Sequence, residues 1–426
     1  QVPWIDDLKI RANYGTLGNS SIGYWDYQSV INTAPRAVIG SPENILIGMT
    51  QSQLSNNDLV WEKKTTANIG FDLVALNNRL RFTAEYFYSK SEDLLVYLPI
   101  LMSSGNEGGA PAVNAGSLEN RGVEFEVGWN DKVGEFEYSA SLNISHLKNK
   151  VIDLGYGKQN KKIPTYTTLA ITEVGQPLGM WYLYKMLGIF QSEEEIQNYV
   201  NSEGKVIQPN ARPGDIKYDD YNGDGIISSE DRQKVGNPWP KLELGLNLGA
   251  SYKGFDLTLF FNFVVGNDVF NMSTQRFIGP YLANQNTLDK MKNRFTLIDP
   301  STGKESKDLA RLAELNPGQY GGSAMWNISS NNKTAISDYS SYYIEDGSYL
   351  RLNTITLGYT LPKKLVQKAK ISNARVYCTL NNIHTFTGYS GYDPEVSATS
   401  SALTPGIDNS SYPRSKSWVL GVNLTF

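Results

Sequence analysis

Cysteine is almost absent: Cys378 stands alone in 426 residues. That excludes an internal disulfide framework and any multi-cysteine metal site. The two histidines, His146 and His384, leave little material for zinc or triad chemistry. No apolar run approaches the ~18 residues of a membrane-spanning helix. Strands that alternate average out their hydropathy, so this absence does not exclude a membrane crossed by strands. Charged residues make up 19% of the chain, with a net charge of -4 and a pI near 5.5. Without a basic stripe to neutralise phosphates, a nucleic-acid partner is excluded. The chain opens on Gln1 with neither an initiator Met nor the basic and apolar regions of a signal peptide. We therefore expect a C-terminal portion of something longer.

What is abundant points to strands. Aromatics are 12% of the chain, with 26 Tyr, beside 38 Gly, a mix that suits strands, turns and interfacial belts better than helices. The stretch 417–426 sets Trp418, Leu420, Val422, Leu424 and Phe426 on one strand face and Val419, Gly421, Asn423 and Thr425 on the other. It ends on the aromatic, as the closing strand of an outer-membrane barrel does. The same alternation recurs along the chain. Leu8, Ile10, Ala12 and Tyr14 oppose Lys9, Arg11 and Asn13, and Ala67, Ile69, Phe71 and Leu73 oppose Thr66, Asn68, Gly70 and Asp72. Asn77 and Asn78 tolerate the positive φ of a hairpin turn. Leu350 and Leu352 are out of phase with Ile355 and Leu357, which predicts a bulge or a lumen-facing start there.

Connections are sharply unequal. Short turns at Asn77, 130–134, Lys253 and 362–372 alternate with long stretches at 16–60, 98–119, 146–180, 190–238, 264–346 and 385–414. Outer-membrane barrels put short turns on the periplasmic side and long loops outside, whereas soluble sandwiches mix the two. The long stretches are rich in Asn, Ser, Gly, Tyr and Trp, the composition of a structured recognition surface.

The segments 344–362, reading IEDGSYLRLNTITLGYTLP, and 372–396, reading SNARVYCTLNNIHTFTGYSGYDPEV, resemble the C-terminal barrel region of SusC/RagA-type TonB-dependent transporters. NAGSLENRGVEFEVGW at 114–129 is similar to a barrel motif of the same superfamily, and VGQPLGMWYLYKMLGIFQSEEEI at 174–196 to its long central loop. The resemblance implies an all-β, transmembrane antiparallel β-barrel of about 22 strands, of which this chain has room for about 12 to 14. It implies residues 1–426 as the C-terminal portion of the barrel, with the plug domain and signal peptide outside this chain. It further implies the outer membrane of a Gram-negative bacterium, a SusD-like surface lipoprotein partner, the TonB complex engaged through the N-terminal part, and active import of glycans or oligopeptides. The remainder of the barrel, its plug and membrane lipid complete the expected partners, and no enzymatic activity is expected.

One motif points to a metal. Asp220, Asn222, Asp224, the carbonyl of Ile226, Ser228 and Asp231 occupy places 1, 3, 5, 7, 9 and 12 of an EF-hand-like loop, with Gly225 at the sharp turn. The expectation is a structural Ca²⁺, against the alternative of an Asx-rich turn. Trp181, Tyr182, Trp326 and Tyr389 are candidate platforms for cargo in the long loops. Glu124, Glu126 and Glu137 read as lumen lining rather than paired acids for glycoside hydrolysis, and Cys378 as a small hydrophobe on the lipid face. Two other readings stand beside the transporter: a surface β-sandwich adhesin or lectin-like binding protein, and an outer-membrane hydrolase using His146 or His384.

Overall fold

The computed structural model describes residues 3–20, 27–97, 111–155, 162–165, 169–278, 286, 288–289, 292, 294–316, 339–397 and 403–426. Ten long strands dominate: β1 Ile5–Asn19, β2 Glu62–Ala75, β3 Leu80–Glu92, β4 Ser117–Val133, β5 Phe136–Asp153, β6 Leu242–Tyr252, β7 Phe255–Val265, β8 Tyr349–Thr360, β9 Asn373–Thr387 and β10 Ser417–Thr425. The chain divides into two compact units: Gln1–Asp131 with Ser141–Ile163 and Glu173–Pro177, and Lys132–Ala140 with Pro164–Thr172 and Leu178–Phe426.

In the first unit the strands run β1-β2-β3-β4-β5, spatial order following chain order. Register places apolar on apolar: Ile10 faces Phe71, Phe71 faces Ala84, and Ala84 faces Phe125. The next row repeats this with Leu8, Leu73, Phe82 and Val127. A one-residue slip would put every one of these on the opposite face, so the pattern itself fixes the pairing. The other face is cross-linked by polar groups. Arg11 donates to Asp72 Oδ2 at 2.8 Å and Glu85 Oε2 at 2.9 Å, Asn68 donates to Glu85 Oε1 at 3.0 Å, and Thr83 donates to Asp72 Oδ1 at 3.1 Å.

The second unit repeats the plan as β6-β7-β8-β9-β10. Leu246 faces Phe261, Leu248 faces Leu259, Leu257 faces Leu357, Leu357 faces Cys378, and Cys378 faces Leu420. Cys378 thus lies in the apolar row. The predicted bulge is present: register slips between Phe260 and Phe261, and between Leu352 and Thr354. The slip restores Leu350 and Leu352 to the apolar side, opposite Phe263 and Phe261. On the polar side Arg375 reaches Asp256 at 2.9 Å, lying where a Cβ on Gly358 would stand. Tyr377 covers Gly421 in the same way, an aromatic filling the notch left by a strand glycine.

The apolar face stays open. Ile10 is 74% exposed, Tyr14 78%, Trp418 71% and Leu420 69%. In a soluble sandwich such rows would be buried against a second sheet, and a patch this large needs an apolar surround. No described helix is long and apolar enough to cross a membrane. β6 and β7, at 11 residues each, match the roughly 9–11 that a tilted membrane-crossing strand needs.

Turn chemistry follows the sequence. Asn77 and Asn78 take φ of 60° and 63°, and Lys253 with Gly254 take 46° and 87°. The short connection at 362–372 holds a helical turn, Lys363–Val366, followed by a 3₁₀ turn over Gln367–Ala369. Among the described residues the sheet has ten strands, against the twelve to fourteen expected from spacing. The main reason lies at 180–189: Met180–Tyr184 and Met186–Ile189 pair with Arg232–Gly236 and Ile216–Tyr218, so 154–241 is one connection rather than two.

Candidate functional site: the loop body of the second unit

The long connections of the second unit fold on one another. Asp268–Asn271 is the middle of a three-stranded sheet, antiparallel to Ile344–Asp346 and parallel to Ile407–Asp408. Two connections meet there, the one from β7 to β8, which supplies two of the strands, and the one from β9 to β10. One core cluster holds Leu169, Ala170, Trp181, Leu183, Phe270, Tyr343 and Ile407; another holds Tyr184, Ile189, Ile216, Tyr218, Ile278 and Phe295. Tyr339 and Tyr342 pack against both. Burying these rings offsets the entropy of ordering long loops, at about 1.5–3 kcal/mol for each fully buried large side chain.

Polar groups tie the same loops. Tyr389 donates its hydroxyl to Asp408 Oδ2 at 2.6 Å. Burial and the Asp408 carboxylate push this phenol far above its ordinary value. Glu345 accepts from Asn271 Nδ2 at 2.9 Å and Ser390 Oγ at 2.8 Å. Burial, helped by Glu345, pushes the Tyr342 phenol up to about 12. Asp268 accepts from the Asn237 amide at 2.7 Å, and burial raises its carboxyl above the usual range. Asp299 is held by Arg311 at 2.7 and 2.9 Å, and this pairing, with Ser301, keeps it well below that range.

The most buried ion pair among the described residues was not among the expected site residues. Arg351 on β8 is 1% exposed and donates to Asp393, to Glu395 Oε2 at 2.9 Å and to Thr385 Oγ1 at 3.1 Å. Arg414 joins Glu395 from the far end of the loop, and its amide donates to Asp393 Oδ2 at 3.3 Å. The sequence carries a signal for it. Arg351 lies between Leu350 and Leu352, where strand phase breaks, and DPEV supplies two carboxylates just past β9.

The expected cargo platforms separate. Trp181 is fully buried, donates Nε1 to the Asp268 carbonyl at 3.0 Å and lies 5.9 Å from the Phe270 ring. Tyr389 is likewise buried and committed to Asp408. Both therefore pack the loop body and present no open ring face, because loops this long need a core of their own. Tyr182 is half-buried beside Trp181, and Trp326 lies outside the described residues. Of the acids, Glu137 pairs with Lys132 at 2.6 Å and Glu124 accepts from Ser145 at 3.5 Å. His384 packs edge-on to Phe386 at 4.3 Å.

In the 220–231 loop the side chains cap their own backbone. Asp220 accepts from the Gly223 and Gly225 amides at 2.9 Å each, Asn222 from Asp224 at 2.9 Å, and Asp224 from Ile226 at 2.8 Å. Asp231 is fully buried and accepts from Tyr221 at 3.0 Å and Ser228 at 2.6 Å. Among the described residues no three or more His, Cys, Asp or Glu side chains gather to hold a metal ion. The geometry is that of an Asx-rich turn. The donor set still suits a hard cation in kind and order, since each carboxylate oxygen carries a second lone pair.

Comparison with known proteins agrees with this architecture. The family model described as TonB dependent receptor-like, beta-barrel, matches residues 2–383. TonB-dependent receptor P3 of Formosa agariphila is 29% identical over 99% of this chain and 40% of its own length. TonB-dependent receptor P39 of the same organism is 30% identical over 99% of this chain and 41% of its own. TonB-dependent receptor SusC of Bacteroides thetaiotaomicron is 27% identical over 99% of this chain and 38% of its own length. The chain thus spans about two fifths of the curated relatives it matches. A solved structure described as the RagAB peptide transporter superposes with a TM-score of 0.76 over 100% of this chain and 41% of that one, at 24% identity, a likeness of fold. With ten meandering strands, an open apolar face and a family match over most of its length, the chain belongs to the TonB-dependent receptor-like β-barrel family.

Proposed function

We propose that the chain is the C-terminal portion of an outer-membrane, TonB-dependent importer of SusC/RagA type. Its cargo is a polar oligomer, either a glycan or an oligopeptide. The observation that supports this best is the sidedness of the strands. One face is apolar and open, as lipid contact requires, and the other is laced by Arg11, Asp72, Glu85, Arg375 and Asp256. A charged, hydrogen-bonding wall suits a hydrated passage and repels an apolar solute.

The remaining barrel strands and the plug complete the wall, and the free edges of β1 and β10 are where those strands pair. Energy comes from the TonB complex acting through the N-terminal part. A SusD-like surface lipoprotein caps the loop body and traps cargo against it. Affinity purification of the tagged full-length receptor should bring down one surface lipoprotein, and deleting the receptor should abolish uptake of a labelled oligomer. Unchanged uptake in the deletion strain would contradict the importer reading.

The 220–231 loop is proposed to take a structural Ca²⁺ on Asp220, Asn222, Asp224, the Ile226 carbonyl, Ser228 and Asp231. The ion would stiffen a loop already half-organised by its own caps. Adding Ca²⁺ should protect amides 220–231 from hydrogen exchange in the full-length receptor, and Asp224→Ala should remove that protection. Equal exchange with and without Ca²⁺ would leave a self-capped turn.

A further inference from the structure

Apart from the loop-body cores, one cleft in the second unit combines an apolar floor with a rim on which three charges have no ion-pair partner among the described residues. Its volume is about 510 Å³, within the roughly 300–1,000 Å³ of sites that hold small ligands. The floor is aliphatic: Pro213, Leu297, Leu309 and Leu312. Leu312 is 2% exposed and anchors the helix Leu309–Leu315, whereas Leu309 is 50% exposed and presents its side chain to solvent.

The rim carries Glu193, Glu194, Arg212, Glu305 and Lys307. Arg212 and Glu305 pair with each other at 3.7 Å. Glu193, Glu194 and Lys307 have no ion-pair partner among the described residues. Two carboxylates and one ammonium are therefore left for a ligand, over a floor shaped for an aliphatic side chain.

We propose that this cleft binds a short segment of oligopeptide, with an aliphatic side chain on the leucines and a basic group against Glu193 and Glu194. Lys307 is placed to take a peptide carboxylate. A glycan fits the chemistry less well, because none of the lining residues is aromatic and the cleft offers no ring face for a sugar to stack on. A phosphorylated or acidic ligand would meet the excess of carboxylates. The proposal narrows the cargo class given above and rests on the importer reading only for the source of the peptide.

The test uses full-length receptor in detergent micelles and fluorescein-labelled Lys-Leu-Leu, read by anisotropy. Binding should weaken about fivefold in Glu193→Gln/Glu194→Gln, the size expected for part-exposed ion pairs. It should weaken at least that much in Leu309→Asp, a change at an exposed first helical position that an acidic residue tolerates. Glu-Leu-Leu and maltotriose should compete poorly. The cleft assignment is overturned by affinities unchanged in both variants, by equal competition from Glu-Leu-Leu, or by displacement with maltotriose. Uptake of the same peptide by cells separates the two readings. Binding without import counts against the importer and leaves the cleft standing, while import by a receptor whose cleft variants bind and transport normally removes the cleft alone.

Discussion

Replacing Asp393 with Ala should open the 388–416 loop without unfolding the strands beneath it. Arg351 is 1% exposed and Asp393 8%, so the guanidinium loses its most buried partner and cannot turn to water. Removing one side of a buried ion pair costs about 3–5 kcal/mol, mostly as the penalty on the charge left behind. Glu395 remains at 2.9 Å but is 36% exposed, so the lower end, about 3 kcal/mol, is the relevant figure. At 1.4 kcal/mol per factor of ten, the loop-opening constant should rise roughly 100-fold. Hydrogen exchange on the full-length receptor in micelles reads this directly: amides flanking Asp393 and Arg414 should exchange roughly 100 times faster while the centre of β9 is unchanged. Arg351→Met with Asp393→Leu should recover much of the protection, since an apolar pair avoids the stranded charge. Unchanged exchange in Asp393→Ala would refute the clasp.

Asp299 gives a pH prediction with a definite sign. Its carboxyl is held below the ordinary value by Arg311 and Ser301, so its contribution is fully present above about pH 4, the unfolded value, and fades as pH falls through the folded one. Protection of residues 296–316, corrected for intrinsic exchange, should be flat from neutral pH to about 5 and drop below about 4, and Arg311→Ala should flatten the profile. On the polar wall, Gly358→Val should drive a Cβ into the Arg375 guanidinium and loosen its pairing with Asp256. Overpacking of this kind costs about 1–3 kcal/mol and should lower the temperature at which the purified barrel unfolds on gels.

Much of the wall was legible because a two-residue period is hard to misread. Pairs such as Phe71 with Ala84 and Leu248 with Leu259 follow from alternation once the turns at Asn77 and Lys253 are placed. Even the bulge near Leu352 shows as a phase break. The loop body was legible only as composition. Trp181 and Tyr389 look like exposed platforms in a one-dimensional reading, because nothing local says that 268–271, 344–346 and 407–408 will meet and bury them. The same blindness inflated the strand count, since 180–189, a mostly apolar run left between two long stretches, pairs inside a loop. Arg351 failed for the opposite reason: its partners lie 42 and 44 residues away, and a buried charge reads from sequence as an ordinary lumen residue.

The proposed barrel would carry its short turns and its long loops on opposite sides of one membrane. In the full-length receptor with Cys378→Ser, single cysteines at Ser202, exposed in the loop body, and at Asn77, exposed in a short turn, should behave differently toward a membrane-impermeant maleimide on intact cells. Ser202→Cys should label at once, and Asn77→Cys only after the outer membrane is permeabilised. Equal labelling of the two on intact cells would contradict the barrel orientation and the placement of the loop body outside the cell.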